Sequence, residues 1–163
     1  MRILTTSSLL WHSRDAGRGE AACADLRKEL GATVCDGRLE TLALDVTSPQ
    51  SVEAAAATVV APLFGLVNNA GVGFGLPPSE NLEVNLYGMK RCSDAFVPLI
   101  DAFGGGRVVN IASASGPNFV AKLHSADERA WWSDPAQLPT WKALEEKLAP
   151  YKVGRSIREA HLG

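Results

Sequence analysis

Short apolar segments alternate with segments of helical periodicity along most of this chain, and this alternation constrains its fold more than any other feature. Four apolar segments have the length of strands, at 8–12, 41–45, 63–67 and 107–112. Buried apolar strands that are separated by helices need crossover connections, and they therefore form a parallel sheet. The alternation predicts an α/β fold in which helices flank a parallel sheet.

Three segments with helical spacing connect the predicted strands, at 17–30, 49–61 and 80–102. The second segment is predicted to begin at Ser48, because a serine N-cap followed by Pro49 is typical of a helix start. We expect all three helices to pack on the sheet through right-handed crossovers. The first helix has apolar residues spaced four apart on one predicted buried face, namely Ala22, Leu26 and Leu30.

The charge and hydropathy patterns exclude several classes of protein. The 163 residues carry a net charge of −2 without a basic stripe, which argues against nucleic acid as a partner. No apolar run approaches the ~18 residues of a membrane-spanning helix. The mixed segment 1–13 does not resemble a signal peptide. The chain length favours one domain.

The three cysteines give information about compartment and metal binding. Cys23, Cys35 and Cys92 are an odd set without CxxC spacing. This pattern fits neither a disulfide framework nor a zinc site, so no metal is expected. We therefore predict a reducing compartment, with the cytoplasm as the location.

Polar residues follow the predicted strands at the edge where parallel sheets bind ligands. Arg14, Asp45, the segment 68–71 and Ser113 all occupy such positions. In the segment 68–71, NNAG, the small residues permit a close approach of a ligand, and the asparagine amides can pin neighbouring strands. An ordinary turn is the alternative interpretation of NNAG, because asparagine and glycine are common in turns.

Five motifs in order resemble those of the short-chain dehydrogenase/reductase family, and most closely its carbonyl reductase branch. The resemblance runs from residue 8 to about residue 120, through RDAGRGEAACADL, DVTSPQSV, LVNNAG, LEVNLYG and GRVVNIASASG. It implies a Rossmann-like sheet, NADP(H) as cofactor and a ketone or aldehyde as the small-molecule substrate. It identifies neither the individual substrate nor the oligomeric state.

The resemblance assigns cofactor contacts to residues at the ends of the strands. Arg14 would bind the 2′-phosphate, which a guanidinium matches in charge and shape. Asp45 would bond the adenine amino group, with Val46 against the ring. A solvated charge is the alternative for Arg14, and a helix-start carboxylate is the alternative for Asp45. The cleft beside the cofactor would be lined by Asn69, Ala70 and Gly71.

The resemblance also implies a catalytic group of three residues. Ser113 would donate a hydrogen bond to the substrate carbonyl, Tyr151 would supply the proton, and Asn85 would anchor a water in the proton relay. The family places a lysine four residues after the tyrosine, whereas this chain has Arg155 there and Lys152 beside Tyr151. The alternatives are a capping hydroxyl for Ser113, a surface residue for Asn85 and an uninvolved tyrosine for Tyr151.

Two departures from the family pattern concern the ends of the sequence. The TGxxxGxG loop, which cradles the pyrophosphate at a helix N-terminus, is missing, and so is the usual first strand. The central position of the sheet is expected either to close, with 8–12 pairing to 63–67, or to be filled by residues 2–6. The final segment 152–163 is unlike the family.

These observations leave two functional hypotheses for one partial dinucleotide-binding domain, 1–163, with a helical insertion at about 117–150. In the first, the chain is an NADPH-dependent oxidoreductase of carbonyl reductase type. In the second, it is a truncated relative without catalysis that acts as a binding module or has no function. The motifs favour the first hypothesis, and the missing phosphate loop favours the second.

Overall fold

A computed structural model describes residues 2–4, 9–31, 35, 38–59, 62–73, 75–101 and 104–153 of the chain. The chain divides into two compact units. The first, here called the sheet unit, comprises Met1–Leu76 and Glu80–Ile111. The second, here called the helical unit, comprises Pro77–Ser79 and Ala112–Gly163. The assignment of the whole chain to a single domain stays a prediction.

The sheet unit contains a five-stranded sheet with the strand order β3-β2-β1-β4-β5. Strand β2 is parallel to β3, β4 is parallel to β5, and β1 is antiparallel to both β2 and β4. The four strands expected from the sequence therefore all run in the same direction, as predicted. The strands are β1 (Arg2–Leu4), β2 (Leu9–Ser13), β3 (Leu39–Ala43), β4 (Gly65–Asn68) and β5 (Arg107–Asn110).

Strand β1 fills the central position that the missing family strand would occupy, which confirms one of the two expected outcomes. Its central residue Ile3 is paired with Leu10 on one side and with Leu66 on the other. Only positions 5–8 separate β1 from β2 in the sequence. A parallel pair needs a connection of about a dozen residues, so β1 has to run antiparallel to β2.

Two helices of the sheet unit begin where the sequence places capping side chains. Asp15 Oδ1 accepts a hydrogen bond from the Arg18 amide at 3.0 Å, and Ser48 Oγ accepts one from the Ser51 amide at 3.2 Å. Ser48 is therefore an N-cap, as predicted. The helical segments that follow or precede the strands are α1 (Ala16–Leu30), α2 (Pro49–Thr58), α3 (Pro78–Leu82, whose first two residues belong to the helical unit), a π-helical segment (Glu83–Gly88) and α4 (Met89–Asp101).

The buried face of α1 differs from the predicted one. Gly19 and Cys23 are buried and Leu26 is partly buried, whereas Leu30 is 52% exposed. A Cβ at position 19 would lie 3.1 Å from Ser13 Cβ, so the glycine lets α1 approach the sheet closely. The most buried positions of α1 are thus small residues, which the spacing of large apolar side chains does not predict.

The core of the sheet unit forms around β4, where Leu66 is fully buried. Phe96 and Ile100 of α4 pack into this core, as does Cys92. Burial raises the pKa of the Cys92 thiol to about 11. All three cysteines are free thiols, and all three are buried.

The helical unit consists of short helices that pack through aromatic side chains. Trp131 and Trp132 meet edge to face with ring centroids 4.7 Å apart, and Phe119 meets Trp132 in the same way at 5.8 Å. Lys147 Nζ lies 5.5 Å from the Trp131 ring and 3.5 Å from Glu128 Oε1. The unit contains α5 (Ser115–Ala121), α6 (Ala126–Ser133), a 3₁₀ turn (Pro135–Gln137) and α7 (Trp141–Lys152). Within the described ranges of both units, every helix is too short or too polar to cross a membrane.

Candidate functional site

Two of the proposed cofactor residues, Arg14 and Asp45, follow neighbouring parallel strands at the same edge of the sheet. Strand β2 ends at Ser13 and β3 ends at Ala43, and the two residues are paired with each other. Arg14 is exposed, and its guanidinium is one of the charges that lower the pKa of Asp45. The structure therefore brings together the two residues that were predicted to bind the adenosine end of a dinucleotide.

Hydrogen bonds hold the Asp45 carboxylate in its ionised form. Asp45 Oδ1 accepts from the Thr47 amide at 2.9 Å and from Thr47 Oγ1 at 2.7 Å. These two bonds lower the pKa of Asp45 more than any other interaction, and the charges of Arg14 and Arg91 lower it further. The Asp45 amide itself donates to Ser51 Oγ at 2.9 Å. The geometry agrees with the helix-start interpretation of this carboxylate, and its contact with an adenine stays a prediction.

Val46 is buried against the π-helical segment. Its side chain is 7% exposed. A Cβ at position 88 would lie 2.8 Å from Val46 Cγ2, so only glycine permits this contact. Gly88 therefore defines how closely the turn after β3 approaches the helix. The packing of Val46 against an adenine ring stays a prediction.

The NNAG segment begins with a buried asparagine that connects two strands. Asn68 Nδ2 donates to Asn110 Oδ1 at 2.8 Å and to Ser93 Oγ at 3.0 Å. The expectation that an asparagine amide of this motif pins neighbouring strands is confirmed for Asn68. Of the three residues predicted to line the cofactor cleft, Ala70 is half-buried against the core, while Asn69 and Gly71 are exposed.

Asn85 holds the loop after β4 through both atoms of its amide. Its Oδ1 accepts from the Val72 amide at 2.8 Å, and its Nδ2 donates to the Val72 carbonyl at 3.0 Å. A Cβ at position 71 would lie 3.3 Å from Asn85 Oδ1, so Gly71 leaves room for the Asn85 side chain. These contacts give Asn85 a structural task that the sequence did not reveal. Its part in a proton relay stays a prediction.

Replacing Asn85 by alanine is expected to loosen the loop after β4. The variant loses both hydrogen bonds to Val72, which would cost about 0.5–1.5 kcal/mol for each bond. Amide hydrogen exchange at Val72, measured by NMR, should accelerate. Asn118→Ala is the matched control, because Asn118 is an exposed asparagine in α5. Unchanged exchange at Val72 in Asn85→Ala would show that the two hydrogen bonds do not hold the loop in solution.

Ser113 lies just after β5, where its hydroxyl contacts the beginning of α5. The side chain is exposed, and its Oγ accepts from the Ser115 amide at 3.1 Å. Ser113 Oγ is also hydrogen-bonded to Ser115 Oγ at 3.1 Å. This arrangement matches the interpretation of Ser113 as a capping hydroxyl, and its catalytic role stays a prediction.

Tyr151 is buried in the last turns of α7 within the helical unit. Burial raises the pKa of its phenol, and the negative charge of Glu128 adds to this effect. Catalysis of the family type needs the opposite change, which a nearby ammonium would supply. Lys152, the adjacent residue, is paired with Glu145 Oε1 at 3.5 Å. Arg155 lies outside the described residues, so the role of Tyr151 stays a prediction.

An ion pair between Arg91 and Glu83, which the sequence pattern does not predict, supports this part of the sheet unit. Arg91 donates to Glu83 Oε1 at 2.7 Å and to the Val46 carbonyl at 2.5 Å. The pair is eight positions apart, which is not a spacing that ion pairs use on a regular helix. No metal-binding group of three or more His, Cys, Asp or Glu side chains occurs in the parts of the chain that the structure describes.

Known proteins resemble this chain in both sequence and fold. Retinol dehydrogenase 16 of Rattus norvegicus is 43% identical over 93 residues, which are 48% of this chain and 29% of the relative. Menthone neomenthol reductase from Mentha piperita has a similar structure, with a TM-score of 0.69, 24% identity and coverage of 93% of this chain and 67% of that one. An NADPH-bound carbonyl reductase from chicken fatty liver gives a TM-score of 0.57 and 21% identity, and covers 91% of this chain and 62% of that one.

The matches to curated relatives span less than half of each relative's length, from 24% to 44%. The two solved structures are less than 25% identical and support the fold alone. The family model described as short chain dehydrogenase matches residues 13–126. This range contains strands β3, β4 and β5, the loop after β4 that Asn85 holds, and Ser113. The chain therefore belongs to the short-chain dehydrogenase family.

Proposed function

We propose that this chain carries the adenosine-binding part of an NADP(H) site in an oxidoreductase that reduces a ketone or an aldehyde. The observation that carries the proposal is the placement of Arg14 and Asp45 at the carboxyl ends of two adjacent parallel strands. Ligands bind beyond these strand ends in open α/β sheets. Arg14 would face the 2′-phosphate and Asp45 the adenine amino group.

The adenosine end of NADP(H) fits the residues present, but the pyrophosphate does not. Arg14 is exposed and cationic, and the pKa of Asp45 is lowered, so the carboxylate is ionised at neutral pH and can accept from an amino group. The first glycine of the sequence is Gly17, which lies in α1 after β2, so residues 1–163 contain no counterpart of the cradle between the family's first strand and its helix. NADPH would supply the hydride when it is bound. The residues proposed to act on the substrate are Ser113 as hydrogen-bond donor, Tyr151 as acid and Asn85 as support.

Replacing Arg14 by alanine is expected to weaken binding of adenosine 2′,5′-bisphosphate by roughly 10–100-fold, because one charge-assisted contact to phosphate is lost. Binding of adenosine 5′-monophosphate, which lacks the 2′-phosphate, should change little. Isothermal titration calorimetry on the chain 1–163 measures both affinities. Arg18→Ala is the matched control, since Arg18 is an exposed arginine in the first turn of α1. Equal affinity of the unaltered chain for the two nucleotides would contradict the proposed preference for NADP(H).

The second candidate function is that of a relative that binds nucleotide or partner without catalysis. Two observations favour it: Ser113 Oγ accepts from the Ser115 amide, and the Tyr151 phenol is buried with a raised pKa. The first engages the Ser113 hydroxyl in a local contact, and the second makes the phenol a weaker acid. The three free thiols suit a reducing compartment, and we propose the cytoplasm for either function.

A further inference from the structure

Arg91 connects the turn after β3 to the helix that carries Asn85. Its Nη1 donates to the Val46 carbonyl at 2.5 Å, and its Nη2 donates to Glu83 Oε1 at 2.7 Å. The Arg91 side chain is 24% exposed. Removal of part of its surface from water makes these charge-assisted bonds more effective than those of a fully exposed arginine. The Arg91 guanidinium thus connects Val46 to Glu83, which are distant from each other in the sequence.

The π-helical segment explains why Glu83 and Arg91 meet. Two turns of an α-helix contain about seven residues, so residues eight apart on a regular helix are offset by about 80° around the axis. The π turn holds about one residue more than an α turn. This extra residue brings Arg91 onto the face of Glu83. The Glu83 carboxylate then orients the Arg91 guanidinium, so that the other guanidinium nitrogen donates to the Val46 carbonyl.

The turn that contains Asp45 and Val46 is thereby held from two directions. Gly88 of the π-helical segment packs against Val46 Cγ2, and Arg91 binds the Val46 carbonyl. The hydrogen bonds of Asp45 to Thr47 and Ser51 are local and shape the turn. The contacts of Val46 fix that turn relative to the helix. The charged groups that act on Asp45 are Arg14 and Arg91.

We propose that Arg91 is a positioning residue for nucleotide binding: by anchoring the Val46 carbonyl to Glu83, it holds Asp45 where the adenine amino group would bind. This inference rests on the proposed function. Arg91 does not itself contact the nucleotide. The segment Glu83–Gly88 then supports two parts of the site. Its Asn85 is hydrogen-bonded to Val72 in the loop after β4. Gly88 packs against Val46 in the turn after β3, and Glu83 holds Val46 through Arg91.

The test compares Arg91→Gln, Arg91→Lys and the control Arg27→Gln. Arg27 is a matched control because its Nη2 donates to the Leu39 carbonyl at 2.8 Å, at the opposite end of β3. Calorimetry with adenosine 2′,5′-bisphosphate should show about tenfold weaker binding for both Arg91 variants, which corresponds to the loss of a charged hydrogen bond. Arg27→Gln should bind within about twofold of the unaltered chain.

A second measurement on the protein without nucleotide separates anchoring from charge. NMR titration of the Asp45 carboxyl should give a higher pKa in Arg91→Gln and an unchanged pKa in Arg91→Lys, because lysine keeps the positive charge. Amide exchange at Thr47 should accelerate in both Arg91 variants. Weak binding by Arg91→Lys with an unchanged Asp45 pKa would support anchoring through hydrogen bonds.

Two results would count against different claims. If Arg91→Gln binds the nucleotide as tightly as the unaltered chain, Arg91 is not a positioning residue. If the unaltered chain does not bind the nucleotide, the proposed function fails. In that case, accelerated exchange at Thr47 would still support the Arg91 anchor, and unchanged exchange would overturn it.

Discussion

Purified residues 1–163 are expected to oxidise NADPH with an activated ketone very slowly compared with a full-length family enzyme. Weakening of the proposed general acid, Tyr151, should by itself lower kcat/KM by up to about 10²–10⁴-fold. Tyr151 is buried, and its pKa is raised by desolvation and by Glu128. A phenol with a raised pKa releases its proton less readily to an alkoxide that forms on the substrate.

Cofactor positioning adds a second and independent loss. Correct placement of two reactants can account for roughly 7–11 kcal/mol of the barrier. Arg14 and Asp45 would hold only the adenosine end, because no glycine precedes α1 to cradle the pyrophosphate. The nicotinamide would then sample many orientations relative to the substrate carbonyl. The two losses act on different groups, so they should combine in the measured rate.

The rate is measured by the decrease of NADPH absorbance at a saturating concentration of ketone. Ser113→Ala and Tyr151→Phe serve as comparison variants, and because residues 1–163 do not fix the nicotinamide against the substrate, each should leave the small residual rate within about twofold of the unaltered chain. Rapid turnover that either substitution abolishes would contradict the prediction. It would show that Ser113 and Tyr151 act in catalysis and that the missing glycine-rich loop is dispensable.

The sequence predicted the direction and the approximate positions of four strands because those properties follow from local rules. The apolar segments before Asp45 and before Asn68 are strands β3 and β4, shifted by two residues or fewer at their ends. The start of α2 at Ser48 follows from side-chain capping, which depends only on neighbouring residues. Such signals are independent of tertiary structure, so the sequence alone carries them.

Features that depend on tertiary contacts could not be predicted in the same way. The segment 80–102 has the spacing of one regular helix, yet its first half contains the π-helical segment Glu83–Gly88. The widened turn coincides with contacts to distant residues, namely Asn85 with Val72 and Arg91 with Val46. Neither contact has a signature in the local sequence, because each partner lies on a different element.

The candidate site likewise contains features that could be predicted from the sequence and features that could not. The placement of Arg14 and Asp45 at the same edge of the sheet could be predicted, because neighbouring parallel strands end there. The contact of Ser113 with Ser115 is local and matches the predicted capping alternative, whereas the burial of Tyr151 in the last turns of α7 could not be predicted. Topology places residues at an edge, whereas packing determines their protonation and their partners.

The second large effect is expected for Leu66→Ala, which should lower the free energy of unfolding by about 2–5 kcal/mol. Leu66 is fully buried in β4, and β4 lies between β1 and β5 in the sheet. Truncation at this site removes methyl groups from the centre of the core that Phe96 and Ile100 complete. Domains have a total stability of only about 5–15 kcal/mol, so this substitution should be among the most damaging in the chain.

Leu30→Ala is the matched control for Leu66→Ala, because the same side chain is truncated where it is 52% exposed in the last turn of α1. Alanine also has the higher helix propensity, so this variant should stay within about 0.5 kcal/mol of the unaltered chain. Urea denaturation followed by circular dichroism gives both values. If Leu66→Ala does not fold, Leu66→Met should still fold at a cost below about 1.5 kcal/mol, because it preserves the side-chain volume. Equal shifts for Leu30→Ala and Leu66→Ala would contradict a core centred on β4, since burial is the difference between the two sites.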